Sequence, residues 1–376
     1  MSDGRAPADL SAAANPVDPL DRALAASSEP PWERPPAAVD ARDGSSDLSS
    51  RHEDPEQALR ALVRTELETP VRDNVEWLAG KLRARHGETV LGVLFYGSCL
   101  RKQTDEGVLD FWVVVDDYRE AHASRLHALA NRFAPPSVYY LEQAHAGQTL
   151  RTKYGVIDRR AFAAGTAFGA WHPYIWARFA QPARLIAARD EQSRRDLEAL
   201  IAQAIVTFCA RLFVHLPDNH GLFRFSLSAF WQEAFRRTYD SERRPEADES
   251  IRGLYLEDEA RYDAAATAAF QHLARTDFFA EASQHPRSFA IRLAPRRLAL
   301  LRLRWRLMRP YARTLGLVRL LRTAFTFGDW VPYVLWKLER HTGRRIELTP
   351  RQRAHPLIFA WPIILPLLLK RNLRES

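Results

Sequence analysis

The fold is decided by VLGVLFYGSCLRKQTDEGVLDFWVVVDD, residues 90–117. It opens as an apolar strand over residues 90–96 that stops at Gly97-Ser98. A polar loop follows, and a second strand over residues 108–115 carries Asp110. Runs rich in Val, Leu and Phe between turn residues are strand signals. Because strand side chains alternate, Leu109, Phe111, Val113 and Val115 share one face. Asp110, Trp112, Val114 and Asp116 share the other. A carboxylate in an apolar strand is costly unless a charge meets it. Gly97 lets a phosphate approach the backbone, and Ser98 adds a hydroxyl and an N–H. The pair suits a nucleoside triphosphate with Mg²⁺ bridging phosphate to carboxylate. The same residues also suit a plain strand-end turn beside an Asp that caps or pairs with an Arg.

Working outward, residues 1 to about 53 are rich in Ala, Pro, Ser and Asp without a periodic apolar face, the pattern of a disordered tail. From Pro55 the pattern turns helical: Ala58, Leu59, Leu62, Val63 and Leu67, then Val71, Val75, Leu78 and Leu82. After the strand pair, residues 122–133 read as a helix and Ser137 to Leu141 as a short strand. Lys153 and Tyr154 precede Gly155 at an expected turn. Residues 162–185, dense in aromatics, read as a core helix. Two helices are expected over residues 191–235, with a break near residues 217–221. The polar stretch Tyr239-Asp240-Ser241-Glu242 reads as a helix end.

The chain of 376 residues carries 46% apolar and 27% charged residues, enough for a substantial core and about two domains. Its net charge of +8 points to an acidic partner: nucleic acid, an anionic membrane face or a phosphate-rich ligand. Cys99 and Cys209 make neither a metal spacing nor a disulfide framework, which fits a reducing cytoplasm. No secretory leader pattern and no run of about 20 uninterrupted apolar residues is present. Between Glu281 and Asp329 there is no acid, while arginines accumulate. At helical spacing Arg302, Arg306, Arg309 and Arg313 share one face and Leu301, Trp305 and Met308 another; strand-like alternation over residues 301–307 fits as well. A basic amphipathic element suits a membrane surface. The apolar HPLIFAWPIILPLLLKR near the C-terminus suits either the core or the membrane interface.

Taken together, Tyr96-Gly97-Ser98, Gln103, Leu109-Asp110-Phe111 and Val115-Asp116-Asp117 resemble the mitochondrial-type CDP-diacylglycerol synthases, which are phosphatidate cytidylyltransferases of the nucleotidyltransferase superfamily. Lys153-Tyr154-Gly155-Val156-Ile157 resembles a later segment of that family, and Tyr174, Arg178 and Pro182 fall in step with another. Tyr239, Glu242 and Arg244 are similar to its Tyr-Ser-Gly-Asp-x-Arg motif. The resemblance covers residues 95–246. It implies an α+β nucleotidyltransferase-like core over residues 54–190, with a small mixed sheet flanked by helices. A helical middle region over residues 191–285 would complete the site, and a basic, apolar C-terminal region over residues 286–376 would meet the membrane.

The activity it implies is transfer of CMP from CTP to phosphatidic acid, Mg²⁺-dependent, at the cytoplasmic face of an anionic membrane and without a nucleic-acid partner. Asp110, Lys153 and Glu242 would be catalytic, and Asp110 and Glu242 would hold the metal. Tyr96, Gly97, Ser98, Gln103, Tyr154, Gly155, Arg178, Tyr239 and Arg244 would bind substrate. The chain departs from the family at Cys99, Gln181 and Glu242, and Trp112 stands where nucleotidyltransferases place a second carboxylate. Two alternatives stay open: a nucleotidyltransferase acting on another lipid phosphate or a protein, or an inactive membrane- or nucleic-acid-binding relative.

Overall fold

The structure, a computed structural model, describes residues 46–47, 54–118, 135–242 and 248–326. A short strand β1 (Ser46–Asp47) precedes helices α1 (Pro55–Glu68) and α2 (Asp73–His86). Strand β2 (Val90–Tyr96), the one-turn helix α3 (Ser98–Arg101) and β3 (Val108–Val115) follow. Next come β4 (Ser137–His145), β5 (Gln148–Asp158), α4 (Arg159–Thr166), α5 (Trp176–Phe179) and β6 (Ala183–Ala188). The long α6 (Glu191–Leu212) leads to hairpin β7 (Asp218–Asn219) and β8 (Leu222–Ser226). Helices α7 (Leu227–Ser241), α8 (Asp248–Leu256) and α9 (Glu259–Ala274) come after it. A second hairpin, β9 (Glu281–His285) and β10 (Ser288–Arg292), precedes α10 (Pro295–Thr326).

The chain is α+β. A mixed five-stranded sheet runs in the order β4-β5-β3-β2-β6. Within it β3 and β5 are parallel and the other neighbours antiparallel. Both faces are covered. On one face α2 packs with Val75, Leu78 and Leu82 buried, as their helical spacing requires. Phe111 and Tyr154 lie on that side, and His86 of α2 meets the Tyr154 ring at 5.8 Å. On the other face Trp112 packs among Phe162 of α4, Tyr174 and Phe179 of α5. There α6 comes so close that a Cβ on Gly92 would stand 2.5 Å from Leu197. Helix α6 is long and apolar, but 78% of its most apolar window is buried inside the fold, so it serves as a core helix. A second, antiparallel sheet, β1-β9-β10-β8-β7, contributes Phe223, Phe225 and Phe289, which pack against Phe213, just after α6, and Phe270 of α9 within the same hydrophobic core.

Several sequence expectations change. Gly155 is not at a turn: it lies inside β5, paired with Trp112 and Val138. A Cβ there would press on Pro136 at 3.3 Å, so the glycine makes room for that ring. Residues 162–185 are not one helix. They divide into the end of α4, a loop, α5 and the start of β6, where Leu185 pairs with Leu94. The break at residues 217–221 is a hairpin turn, with His220 and Gly221 both at positive φ. Ser46–Asp47, inside the stretch expected to be disordered, pairs with β9. Between helix and strand for residues 301–307, the structure gives helix. The expected helix over residues 122–133 and the apolar stretch over residues 355–371 lie outside the described residues.

One buried ion pair ties the N-terminal helix to the rest. Glu66 of α1 and Arg261 of α9 are each 7% exposed and meet at 2.7 Å. The second Glu66 oxygen accepts from the Ala183 N–H at the start of β6, and Arg261 also donates to the Ala180 carbonyl. Removing one charge of such a pair leaves the other buried without compensation. Glu66→Gln should therefore cost roughly 3–5 kcal/mol, read as a lower urea midpoint. An unchanged midpoint would show that the pair does not hold these elements together.

Candidate active site

The site begins with strand register. Lys153 of β5 stands directly beside Asp110 of β3, and Asp110 directly opposite Tyr96 of β2. Neighbours at one level of a sheet point to one face. Lys153, Asp110 and Tyr96 therefore form a row, and Tyr140 of β4 extends it. The Lys153 ammonium lies 3.3 Å from Asp110 Oδ1, an ion pair at the mouth of a cleft. Asp110 Oδ1 is shielded from solvent yet accepts no hydrogen bond.

Gly97 closes the corner. Its φ of +92° lies in the region L side chains rarely adopt, and a Cβ there would stand 3.0 Å from Asp110 Oδ2. The glycine thus serves both the turn and the close approach of the carboxylate. Ser98 begins α3 immediately after it. The cleft, about 210 Å³, is lined by Ser98, Cys99, Lys102, Thr104, Glu106, Gly107, Val108, Asp110 and Lys153. Cys99 is buried, its thiol hydrogen-bonded to the Val108 carbonyl at 3.3 Å. Burial, with the Asp110 charge, pushes its pKa up, away from a nucleophilic thiolate.

Tyr96 links this cleft to a second charged group. Its hydroxyl is pushed up to about 12 by burial and by Asp110, against the pull of Arg178 and Lys153. Arg178 makes a two-pronged pair with Glu242 at 2.9 and 3.1 Å and donates to the Tyr174 carbonyl at 2.6 Å. Its guanidinium lies 3.7 Å from the centre of the Tyr174 ring. Burial works to lower the Arg178 pKa, but Glu242 and the neighbouring tyrosines outweigh it, so the group stands above its ordinary value. Arg319 of α10 lies on the same ring at 4.2 Å, donates to the Pro135 carbonyl at 2.8 Å and touches His172 at 3.3 Å.

Asp110, Lys153, Gly97 and Ser98 are therefore brought together, with Tyr96 beside them. Arg178 and Glu242 meet each other, but both Glu242 oxygens face Arg178, so this carboxylate is committed to a cation rather than presented to a metal. Tyr154 points to the opposite face of the sheet, 2% exposed, where it stacks on Tyr139. Gly155 forms floor beneath Trp112. Gln103, at φ +47°, sits in the turn after α3 and does not line the cleft. Tyr239 is buried in α7, three residues before Glu242. Arg244 lies outside the described residues. Trp112, two residues after Asp110 on the same strand face, is 1% exposed.

Lys102, Thr104 and Glu106 were not singled out from the sequence. The signal was their position in the one polar loop between the two quoted strands. Arg319 was hidden in a run of eleven arginines between Glu281 and Asp329. For Mg²⁺, Asp110 is the carboxylate of this cleft whose ion pair, to Lys153, is partly exposed, whereas Glu242 is held by Arg178 through both oxygens; among the described residues no group of three or more metal-ligating side chains is gathered. No protein-family model and no curated protein matches this chain.

Two half-buried histidines give the fold a pH signature. Burial, with nearby arginines, lowers His172 to about 3 and His215 to about 3. His172 sits beside Arg319, and His215 packs on Trp305 with ring centres 4.9 Å apart. Both are neutral when folded, and the unfolded chain binds their protons first. Their contribution is complete above pH 6.5 and is lost as pH falls toward about 3. Together they should steepen the acid loss of stability by up to about 2.7 kcal/mol per pH unit. Unfolding midpoints from pH 7.5 down to about 4.5 should fall less steeply in the H172Q/H215F variant; equal slopes would contradict the assignment.

Proposed function

We propose that the protein is a metal-dependent nucleotidyltransferase that moves CMP from CTP to phosphatidic acid, releasing pyrophosphate. The observation that carries this reading is the Asp110 carboxylate lying over Gly97, paired with Lys153, in a cleft walled by Ser98 and Lys102. That set suits a triphosphate. The Ser98 N–H and hydroxyl donate to phosphate oxygens, and Lys102 and Lys153 offset their charge. Asp110 would hold Mg²⁺, which when bound supplies charge neutralisation across the attacking and leaving oxygens.

The reaction asks for positioning more than covalent help. An acceptor phosphate oxygen attacks the α-phosphorus, a new P–O bond forms, and the bond to the β-phosphate breaks. Two anions must meet, and Lys102 and Lys153 in the cleft wall supply positive charge for that meeting. The lipid acceptor rests on the sequence resemblance and on α10. Along that helix Leu300, Leu303, Leu307, Tyr311 and Val318 are exposed at helical spacing. The buried side carries Leu301, Trp305 and Met308. Arg302 pairs with Asp218, and Arg309 and Arg313 pair with Asp240. The outward apolar stripe, with the exposed Arg296 and Arg306 on the same helix, suits an anionic membrane surface.

Purified protein given CTP, Mg²⁺ and vesicles containing phosphatidic acid should release pyrophosphate. Asp110→Asn should lower the rate by roughly 100-fold or more, and Gly97→Ala, which displaces the Asp110 carboxylate, by roughly tenfold or more. Full activity in Asp110→Asn would remove this residue from the mechanism. Turnover only with a non-lipid acceptor would redirect the assignment to another member of the reaction class.

A further inference from the structure

We propose that Glu106, in the loop between α3 and β3, is the second acidic residue of the metal–nucleotide cleft. The inference rests on the reading of the cleft given above and adds a residue to it. A divalent cation of the Mg²⁺ type on a nucleotide takes one or two carboxylates beside the phosphate oxygens and waters, so Asp110 leaves room for a second acid. The position two residues on is Trp112, packed among aromatic rings, and Glu242 is bound through both oxygens to Arg178.

Other nearby acids are similarly engaged. Glu257 pairs with Arg101 at 3.1 Å. Asp105, next to Glu106 in the chain, accepts from Arg72 at 2.8 Å and from Asn74 at 2.8 Å, both at the start of α2. Those bonds fix the direction of the loop. With Asp105 held on α2, its neighbour Glu106 lines the cleft. Three further contacts hold the loop in that shape. The Glu106 N–H donates to Thr104 Oγ1 at 3.1 Å, the Thr104 N–H to the Cys99 carbonyl at 3.1 Å, and the Cys99 thiol to the Val108 carbonyl. Gly107, at φ +135°, supplies the bend into β3. Among the described residues Glu106 has no ion-pair partner, and its side chain is exposed to the cleft and solvent.

The mixture of signs identifies the ligand. Lys102 and Lys153 would oppose a bare cation, and Asp110 and Glu106 would oppose a bare anion. A divalent cation carried on a polyphosphate satisfies both pairs at once. The cleft's two acids and two bases are thus matched to a metal–triphosphate complex, with Glu106 facing the metal or a water of its shell.

The test is Mn²⁺ binding to the full chain, followed by electron paramagnetic resonance with and without a non-hydrolysable CTP analogue. Glu106→Gln should weaken Mn²⁺ binding in the presence of the analogue by roughly tenfold or more. Glu242→Gln should change it by no more than about twofold. Glu106 is exposed, so circular dichroism should show the variant folded. If Asp110→Asn weakens Mn²⁺ binding and Glu106→Gln does not, the assignment of Glu106 is overturned while the cleft stands. If Asp110→Asn has no effect either, the cleft is not a metal–nucleotide site, and both readings fall.

Discussion

The arrangement depends on the parallel pairing of β3 with β5, which sets Lys153 beside Asp110. Without that neighbour, a carboxylate in the middle of an eight-residue apolar strand carries a desolvation cost of several kcal/mol. With it, the acid is tolerated but not quenched. The pair is 3.3 Å apart and partly exposed at the mouth of the cleft. A one-residue slip of β5 would carry Lys153 to the α2 face and bring Tyr154 to the cleft. Register here is guarded by packing: Gly155 makes room for Pro136, and Tyr154 is buried against His86 and Tyr139.

The same logic explains what was legible in the sequence. β2, β3, α1 and α2 were plain because each has one strong period and clean boundaries. The alternation of Asp110 against Phe111 and Val113 located the site face before any coordinates. Gly155 was misread because glycine marks turns and close packing alike, and the neighbour that decides between them, Pro136 ahead of β4, is brought to it only by sheet pairing. The hairpins at residues 218–226 and 281–292 escaped because their strands are short and partly polar, with Arg224, Gln284 and Arg292 in them. Tyr154 was placed in the site by its neighbour Lys153, although adjacent strand residues face opposite ways.

Arginines were the least legible feature. As a run they suggest one anionic surface, yet the fold uses them individually. Arg302 holds β7, Arg309 and Arg313 hold the end of α7, and Arg304 and Arg211 donate to backbone carbonyls at Gly169 and Ala170. Arg319 reaches the Tyr174 ring beside Arg178, which joins α10 to the candidate site. Spacing alone separates the faces of a helix but does not say which acids stand opposite. The outcome is a helix whose charges are largely engaged within the fold and whose outward face is apolar.

The central claim is that Asp110, Gly97 and Ser98 form one seat for a metal-bound triphosphate. A crystal structure with Mn²⁺ and a non-hydrolysable CTP analogue, phased for the manganese anomalous signal, tests it most directly. The account predicts an anomalous peak about 2.1–2.4 Å from an Asp110 carboxylate oxygen, with phosphate density against the Ser98 N–H. Nucleotide density elsewhere, or a peak at Glu242 with Asp110 still closed on Lys153, would contradict it.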